Sequence, residues 1–450
     1  MSAATLPAPG PARALELPAL GPARRLKLPP WAERTLPNGL TVIAVRRPAV
    51  PLVELRLRMP FARAPLARSL TLAQALFSGT SGRSAMDIAA DLQTVGGGLG
   101  SDTDPDWLSV SGNCLASGLP TVLDILAEIL SDATYPADEV AAERERLADH
   151  IEVALSQPSH LARVALLRRR YGSHPYAEQT PGVDQVRAVG AGHLRKLHAD
   201  RVAPAGAILT VVGDVRPEKA LDQVEAALGG WVNEASVRST PGVPAVAPQP
   251  LLLVDRPGAV QSSMRLALPA VGRSHPDYPA LQLANLVFGG YFSSRWVENI
   301  REDKGYTYGP NSYIEHNAAG STLVVAAEVA TDVTAPALLE TFYELGRLSA
   351  VPPAGAELEQ ARQYALGSLR IGIATQAGLA SLVSAYASFG LRLPDLAGYA
   401  EAVAAVTPDQ VAEAAARYLS PLRALPVLLG DAAAVAGPLA ALVPVERDQP

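Results

Sequence analysis

Apolar positions along the chain repeat themselves in two places. From Val186, "VRAVGAGHLRKLHADRVAPAGAILTVVGDV" reads as a helix of about three turns, a proline break, an apolar strand and a Gly-Asp turn. From Val403, "VAAVTPDQVAEAAARYLSPLRALPVLLGDA" reads the same way at an offset of 217 (403 − 186), without a gap. Pro204 then falls on Pro421, Gly213 on Gly430 and Asp214 on Asp431. Nearer the start of each copy, "VRRPAVPLVELRLRMP" ending at Pro60 matches "VDRPGAVQSSMRLALP" ending at Pro269, an offset of 209 (269 − 60). Arg47-Pro48 falls on Arg256-Pro257 and Arg56 on Arg265, and both copies read as two apolar strands around a short turn. The helical stretches "LARSLTLAQALFSGT" and "YPALQLANLVFGG" follow.

The chain therefore reads as an internal duplication. Two homologous α+β halves, each an α/β-sandwich-like unit, are expected at 31–238 and 251–450. The proline-rich stretch "STPGVPAVAPQP" at 239–250 links them, and residues 1–30, rich in Pro and Ala, read as an extended N-terminal strap.

Within the second half, "GGYFSSRWVENIREDKGYTYG" (289–309) reads as a turn, an amphipathic helix and a strand. Ser293 or Ser294 is expected to cap the helix, and Trp296 and Ile300 form an apolar stripe at i, i+4. Lys304 closes the last turn, with Gly305 at the position that favours a left-handed glycine. Tyr306 and Tyr308 are expected on one face of a short strand, with Arg301 and Tyr308 converging on one point.

Composition narrows the function classes. Of the 450 residues 48% are hydrophobic and 18% charged, an ordinary globular balance. A net charge of −6 without a Lys/Arg run argues against nucleic acid as a partner. No stretch approaches a membrane span. The single cysteine, Cys114, excludes an intrachain disulfide and a multi-cysteine metal site. The glycine-rich "VGGGLGSDTD" at 95–104 lacks the Lys-Ser/Thr of a phosphate loop and reads as a sheet-edge turn.

"TLPNGLTVIAV" at 35–45, "YGSHPYAEQTPG" at 171–182, "ILTVVGDV" at 208–215 and "HPDYPALQLANLVFGGYFSSRWVENIREDKGYTYG" at 275–309 together resemble the pitrilysin/insulinase/mitochondrial processing peptidase family. The resemblance runs from about Leu36 onward, and its last segment is the most specific. It implies paired α+β domains around a chamber and a zinc metallopeptidase whose inverted motif, His-x-x-Glu-His, holds the metal and the general base, with a distant glutamate as third ligand. Counted back from "FSGT" at 77–80, the motif positions fall on Leu70, Ala73 and Gln74, and the third-ligand position falls on His150 or nearby. Leucine and alanine carry no donor atoms, Gln74 is a poor zinc ligand, and the general base is replaced by Ala73. A lone helical histidine is more simply a surface residue than a ligand. No zinc is expected in this chain.

On residue types alone, Arg301 and Tyr308 are a surface arginine and a strand tyrosine. The family signature around them implies more: such an arginine and tyrosine, spaced by seven residues, bind the substrate backbone and stabilise the tetrahedral intermediate. The expectation is a pseudo-peptidase subunit, inactive alone. It pairs with a homologous chain that carries His-x-x-Glu-His and zinc, and acts on peptides. The alternatives are a non-catalytic scaffold or a peptide-binding, chaperone-like homodimer. Family habit and the Ala/Pro-rich start favour the periplasm of a bacterium, with the cytoplasm as the alternative.

Overall fold

The computed structural model describes residues 26–235 and 237–448, so most of the strap expected at 1–30 lies outside the described residues. The first half builds a six-stranded mixed sheet from β1 (Trp31–Thr35), β2 (Thr41–Arg46), β3 (Leu52–Pro60), β4 (Gly98–Thr103), β5 (Trp107–Leu115) and β6 (Ile208–Gly213), in spatial order β1-β2-β6-β3-β5-β4. The second half builds another from β7 (Leu251–Asp255), β8 (Gln261–Pro269), β9 (Asn311–Asn317), β10 (Gly320–Ala330), β11 (Leu425–Gly430) and β12 (Val445–Asp448), in order β12-β7-β11-β8-β10-β9. Five strands correspond one to one, including the parallel pairs β2/β6 and β7/β11. The outermost strand differs: β1 enters from the N-terminal side antiparallel to β2, whereas β12 arrives at the far end of the chain and lies parallel to β7. The fold is α+β and duplicated, as the two offsets require.

The glycine-rich stretch differs from its expected turn. Residues 95–97 turn, but Gly98–Thr103 is the edge strand β4 itself, paired antiparallel to β5. Side-chain-poor backbone is tolerated there because the strand packs on one neighbour only.

Six helices place the regions that matter. In the first half these are α1 (Leu66–Ala75), α2 (Ala137–Ser156) and α3 (Pro158–Tyr171); in the second, α4 (Tyr278–Asn285), α5 (Gly355–Gly372) and α6 (Gln376–Ser388). The pairs α2/α5 and α3/α6 share an offset of 218 (355 − 137 and 376 − 158). The central strands β6 and β11 read as near-continuous apolar runs because both faces of each sheet are covered. One face of the first sheet packs on helices of its own half, with Leu55, Leu57 and Met59 against Leu72, Leu76 and Leu123. Its other face, with Ile43, Val45 and Val212, is covered by Leu379, Ala380 and Val383 of α6, a helix of the second half. The exchange is reciprocal. On the second sheet, Leu252, Ala267, Val324 and Val427 pack against Leu166 of α3, from the first half.

The matched Arg-Pro turns secure this exchange. Arg47 Nη2 donates to the Ala374 carbonyl at 2.9 Å, at the α5–α6 break. Its counterpart Arg256 Nη2 donates to the Ser156 carbonyl at 3.2 Å, at the α2–α3 break. Gln376, buried at the start of α6, also donates its amide nitrogen to the Arg47, Val50 and Leu52 carbonyls at 2.6, 3.0 and 3.1 Å.

A second tie runs through Asp106 between β4 and β5. Its carboxylate accepts from the Tyr176 hydroxyl at 2.7 and 2.8 Å, from the Thr240 hydroxyl of the linker at 2.8 Å and from the Ala318 amide of the β9–β10 turn at 2.9 Å. The linker is docked rather than free: His174 Nε2 donates to the Pro241 carbonyl at 2.8 Å and Arg170 to the Pro244 carbonyl at 2.6 Å. Among the described residues no single helix is long and apolar enough to cross a membrane. The bent pair α5 and α6, which passes by length and composition together, breaks by 108° and lays α6 on the first sheet.

Candidate functional site

The segment 289–309 is held from below by its apolar stripe. Trp296 and Ile300 are fully buried; the Trp296 indole stacks on Phe288 at 5.3 Å and donates to Thr341 Oγ1 at 3.0 Å. Gly289 is required by this packing, since a Cβ there would stand 2.8 Å from the Trp296 ring. Arg295 forms a two-pronged ion pair with Glu357 on α5, at 2.5 and 2.7 Å, and that carboxylate raises the Arg295 pKa. Ser294 stands at the start of the helix, but its hydroxyl is buried and makes no hydrogen bond, so the side-chain cap expected from Ser293 or Ser294 is not formed.

The helix is one α-turn, Arg295–Val297, that widens into a π-type turn over Glu298–Asp303. Such turns recur at functional sites because they re-aim a side chain without ending the helix. Here the wide turn is pinned by Asn299, whose amide nitrogen donates to Glu340 and Glu344 at 3.0 and 2.9 Å. Gly305 closes the helix at φ +64°, with the Tyr306 amide reaching back to the Ile300 carbonyl at 2.8 Å.

Beyond Gly305 the structure departs from the expected short strand. Residues 306–308 form a loop ahead of β9, so Tyr306 and Tyr308 do not share a strand face. Tyr306 packs on the core of the second half, the Thr307 hydroxyl donates to the Glu328 carbonyl at 2.6 Å, and Tyr308 projects outward, 86% exposed. No sheet neighbour holds this stretch, so the loop follows its anchors and not a strand alternation.

Arg301 and Tyr308 nevertheless come together. The Arg301 guanidinium carbon lies 4.8 Å from the Tyr308 ring centroid and 4.4 Å from that of Phe292, itself exposed. Its Nε meets Glu302 at 3.1 Å. The arginine is thus clasped between two aromatic faces, an arrangement that orients a guanidinium while leaving it charged. Phe292 was not singled out from the sequence; the signal was an aromatic residue just after the Gly-Gly turn, nine residues ahead of the arginine (301 − 292).

The four positions expected at a zinc site are found in the first half. Leu70, Ala73 and Gln74 lie on α1, and His150 lies on α2, which packs beside it. Leu70 is half-buried, Ala73 is buried in the core, and Gln74 and His150 are exposed. Between the helices runs an apolar seam of Ala67 and Leu70 against Leu147 and Ile151. The residues present do not fit zinc: the seam has no donor atoms, and among the described residues no three His, Cys, Asp or Glu side chains gather closely enough to hold a metal ion.

Comparison with known proteins identifies the family. Residues 70–182 match the model of insulinase (peptidase family M16), and residues 188–364 match that of the peptidase M16 inactive domain. An uncharacterized zinc protease of Mycobacterium leprae is 26% identical over 303 residues, spanning 65% of this chain and 68% of that protein. The probable inactive metalloprotease YmfF of Bacillus subtilis is 26% identical over 207 residues, 43% of this chain and 47% of its own. In fold, a crystal structure of a peptidase M16 inactive domain from Pseudomonas fluorescens superposes with a TM-score of 0.82 at 23% identity, covering 89% of this chain and 98% of that one. A protease from Helicobacter pylori superposes with a TM-score of 0.83 at 20% identity, over 89% of this chain and all of the other. The two family models together match well over half of the chain, and it belongs to the insulinase (M16) family of peptidases, as a pseudo-peptidase type whose sequence contains no His-x-x-Glu-His.

Proposed function

We propose that this chain is the zinc-free subunit of a two-chain metalloendopeptidase, working with a homologous chain that carries His-x-x-Glu-His. The partner supplies zinc and the general base. In this reading the Arg301 guanidinium grips a carbonyl of the bound peptide, and the Tyr308 hydroxyl donates to the oxygen that becomes negative as the scissile carbonyl turns tetrahedral. The observation that carries the proposal is the clasp itself. Arg301 is oriented by two rings, and Tyr308 stands almost wholly in solvent on a pinned loop, with no hydrogen-bond partner for its hydroxyl among the described residues. An exposed aromatic residue held in place suits a surface that another molecule completes.

The test is co-expression with such a partner and measurement of peptide cleavage by each chain and by the assembly. Cleavage is expected from the assembly only. Arg301→Ala or Tyr308→Phe is expected to lower kcat by about 10²–10³-fold while the two chains still co-purify. A fully active double variant overturns the assigned roles. An inert assembly that still binds peptide favours a scaffold or chaperone-like protein instead. The compartment we propose is the periplasm, which fractionation of the producing cell tests directly.

A further inference from the structure

The two halves treat one corresponding place in opposite ways. Aligned at Phe77 and Phe288 (offset 211), Gln74 of α1 falls on Asn285 of α4; aligned at the starts of α2 and α5 (offset 218), His150 falls on Ser368. In the first half Gln74 and His150 are exposed, and the apolar seam runs between the same two helices. In the second half, Asn285 and Ser368 line an open cavity of about 330 Å³ between α4, β9, α5 and α6.

Its chemistry is specific. Tyr278, Tyr364, Tyr386 and Tyr399 line it together with Leu286 and Leu382, and no acidic residue does. Its one permanent cation is Arg273. Nη1 of Arg273 donates to the Tyr278 hydroxyl at 3.1 Å, while Nε is buried and without a hydrogen-bond partner. The guanidinium lies 5.7 Å from the ring centroids of both Tyr278 and Tyr386 and forms no ion pair among the described residues. His316 adds no charge: its Nε2 faces the Tyr278 hydroxyl at 3.3 Å and its Nδ1 the Ser321 hydroxyl at 2.7 Å, and burial holds it neutral. Arg273 is half-buried on the wall of an open cavity whose lining holds no carboxylate, so an anion that enters gains a charge-assisted partner.

We propose that this cavity binds a carboxylate carried on an aromatic or branched apolar group, with Arg273 taking the carboxylate and the tyrosine walls the apolar body. One guanidinium, without a lysine or a second arginine, suits a single negative charge better than a phosphate's two. The size is that of a small-ligand pocket. Two sources carry such a carboxylate, the free C-terminus of a peptide and a free aromatic acid. Tyr291, stacked on Tyr364 at 4.9 Å, joins the cavity wall to Phe292 of the arginine clasp. The binding itself needs neither a partner chain nor zinc, so it stands or falls apart from the peptidase reading.

The experiment is calorimetric titration of the full chain alone with N-acetyl-phenylalanine, its C-terminal amide and 3-phenylpropanoate. Saturable binding of an acid is expected, with the amide at least about tenfold weaker than N-acetyl-phenylalanine, as loss of a charge-assisted pair implies. Arg273→Gln is expected to erase that preference with an unchanged Tm. Should Arg273→Gln not fold, Ser368→Trp, at an exposed position of the cavity mouth, is expected to block acid and amide alike. A tenfold preference for N-acetyl-phenylalanine over 3-phenylpropanoate assigns a peptide end, and equal binding assigns a free acid. Equal affinity for acid and amide, no saturation by either acid up to about 10 mM, or binding untouched by Ser368→Trp overturns the proposal.

Discussion

A cation held between two rings keeps its charge, whereas a cation held by a carboxylate spends it on its neighbour. Arg295 and Arg301, six residues apart in the same segment, differ in their partners: the first is locked on Glu357 and serves the fold, while the half-buried second is clasped by Phe292 and Tyr308, with only its chain neighbour Glu302 beside its Nε at 3.1 Å. The sequence singled out Arg301 and Tyr308 as candidates through the family signature. It could not separate the two arginines by physics, because Glu357 lies far along the chain, and it placed Tyr308 on a strand that the loop's anchors do not allow. At the positions where the resemblance would put the metal motif, the residue types were legible but not their surroundings. Ala73 is buried within the main core, so a carboxylate introduced there must be desolvated. Restoring the motif with Leu70→His, Ala73→Glu and Gln74→His is therefore expected not to give one zinc per chain by elemental analysis. It is expected to cost several kcal/mol of stability in urea unfolding. A triple variant as stable as the parent with stoichiometric zinc would contradict this account of the seam.

Among the elements, α3 and α6 carry the least expected result. That the two halves repeat one another was readable from the chain. Which sheet each helix covers was not, because packing on its own sheet or on the other half's satisfies the same pattern of buried positions. The Arg-Pro turns gave the one available hint, being matched in both copies without an evident local task; their task is to bond the other half's helix break. Leu166 tests the assignment. Leu166→Ala is expected to destabilise the chain by about 2–5 kcal/mol. In hydrogen exchange the loss of protection should appear in β8 and β11, which α3 covers, rather than in the first sheet on which its own half is built. Protection lost first in β3 and β6 would place α3 elsewhere.

For the whole molecule, buried histidines set the response to acid. Burial first, and the nearby Arg273 charge second, push His316 down to about 3, and burial also lowers His198, whose ring bridges the Tyr135 hydroxyl and the Leu130 carbonyl. Each keeps its neutral form in the fold. Below its ordinary pKa of about 6.5 the unfolded chain takes up protons that the folded chain refuses. Stability is thus full above that pH and falls as the medium is acidified, down to about 3 for His316, at about 1.4 kcal/mol per pH unit for each such group. The drop between pH 7 and pH 5 is expected to shrink by about 2 kcal/mol in His316→Gln; an unchanged drop would show that the ring is not held neutral. The duplication itself, both halves and the proline-rich connection were legible at this scale. The close docking of that connection through Asp106 was not, since it depends on contacts between residues more than a hundred positions apart.

The reciprocal lending of helices has a consequence for ancestry. A single copy standing alone would leave one broad face of its sheet bare and one helix with nothing to lie on, so a progenitor of half this length had to fold as an embrace of two identical molecules, which a later fusion made permanent. The embrace should still be reversible: severed within 239–250 and produced as separate polypeptides, the two pieces are expected to stay monomeric and poorly structured apart, and to recover a one-to-one folded pair on mixing. Two pieces that each fold well in isolation would mean the fusion joined self-sufficient units.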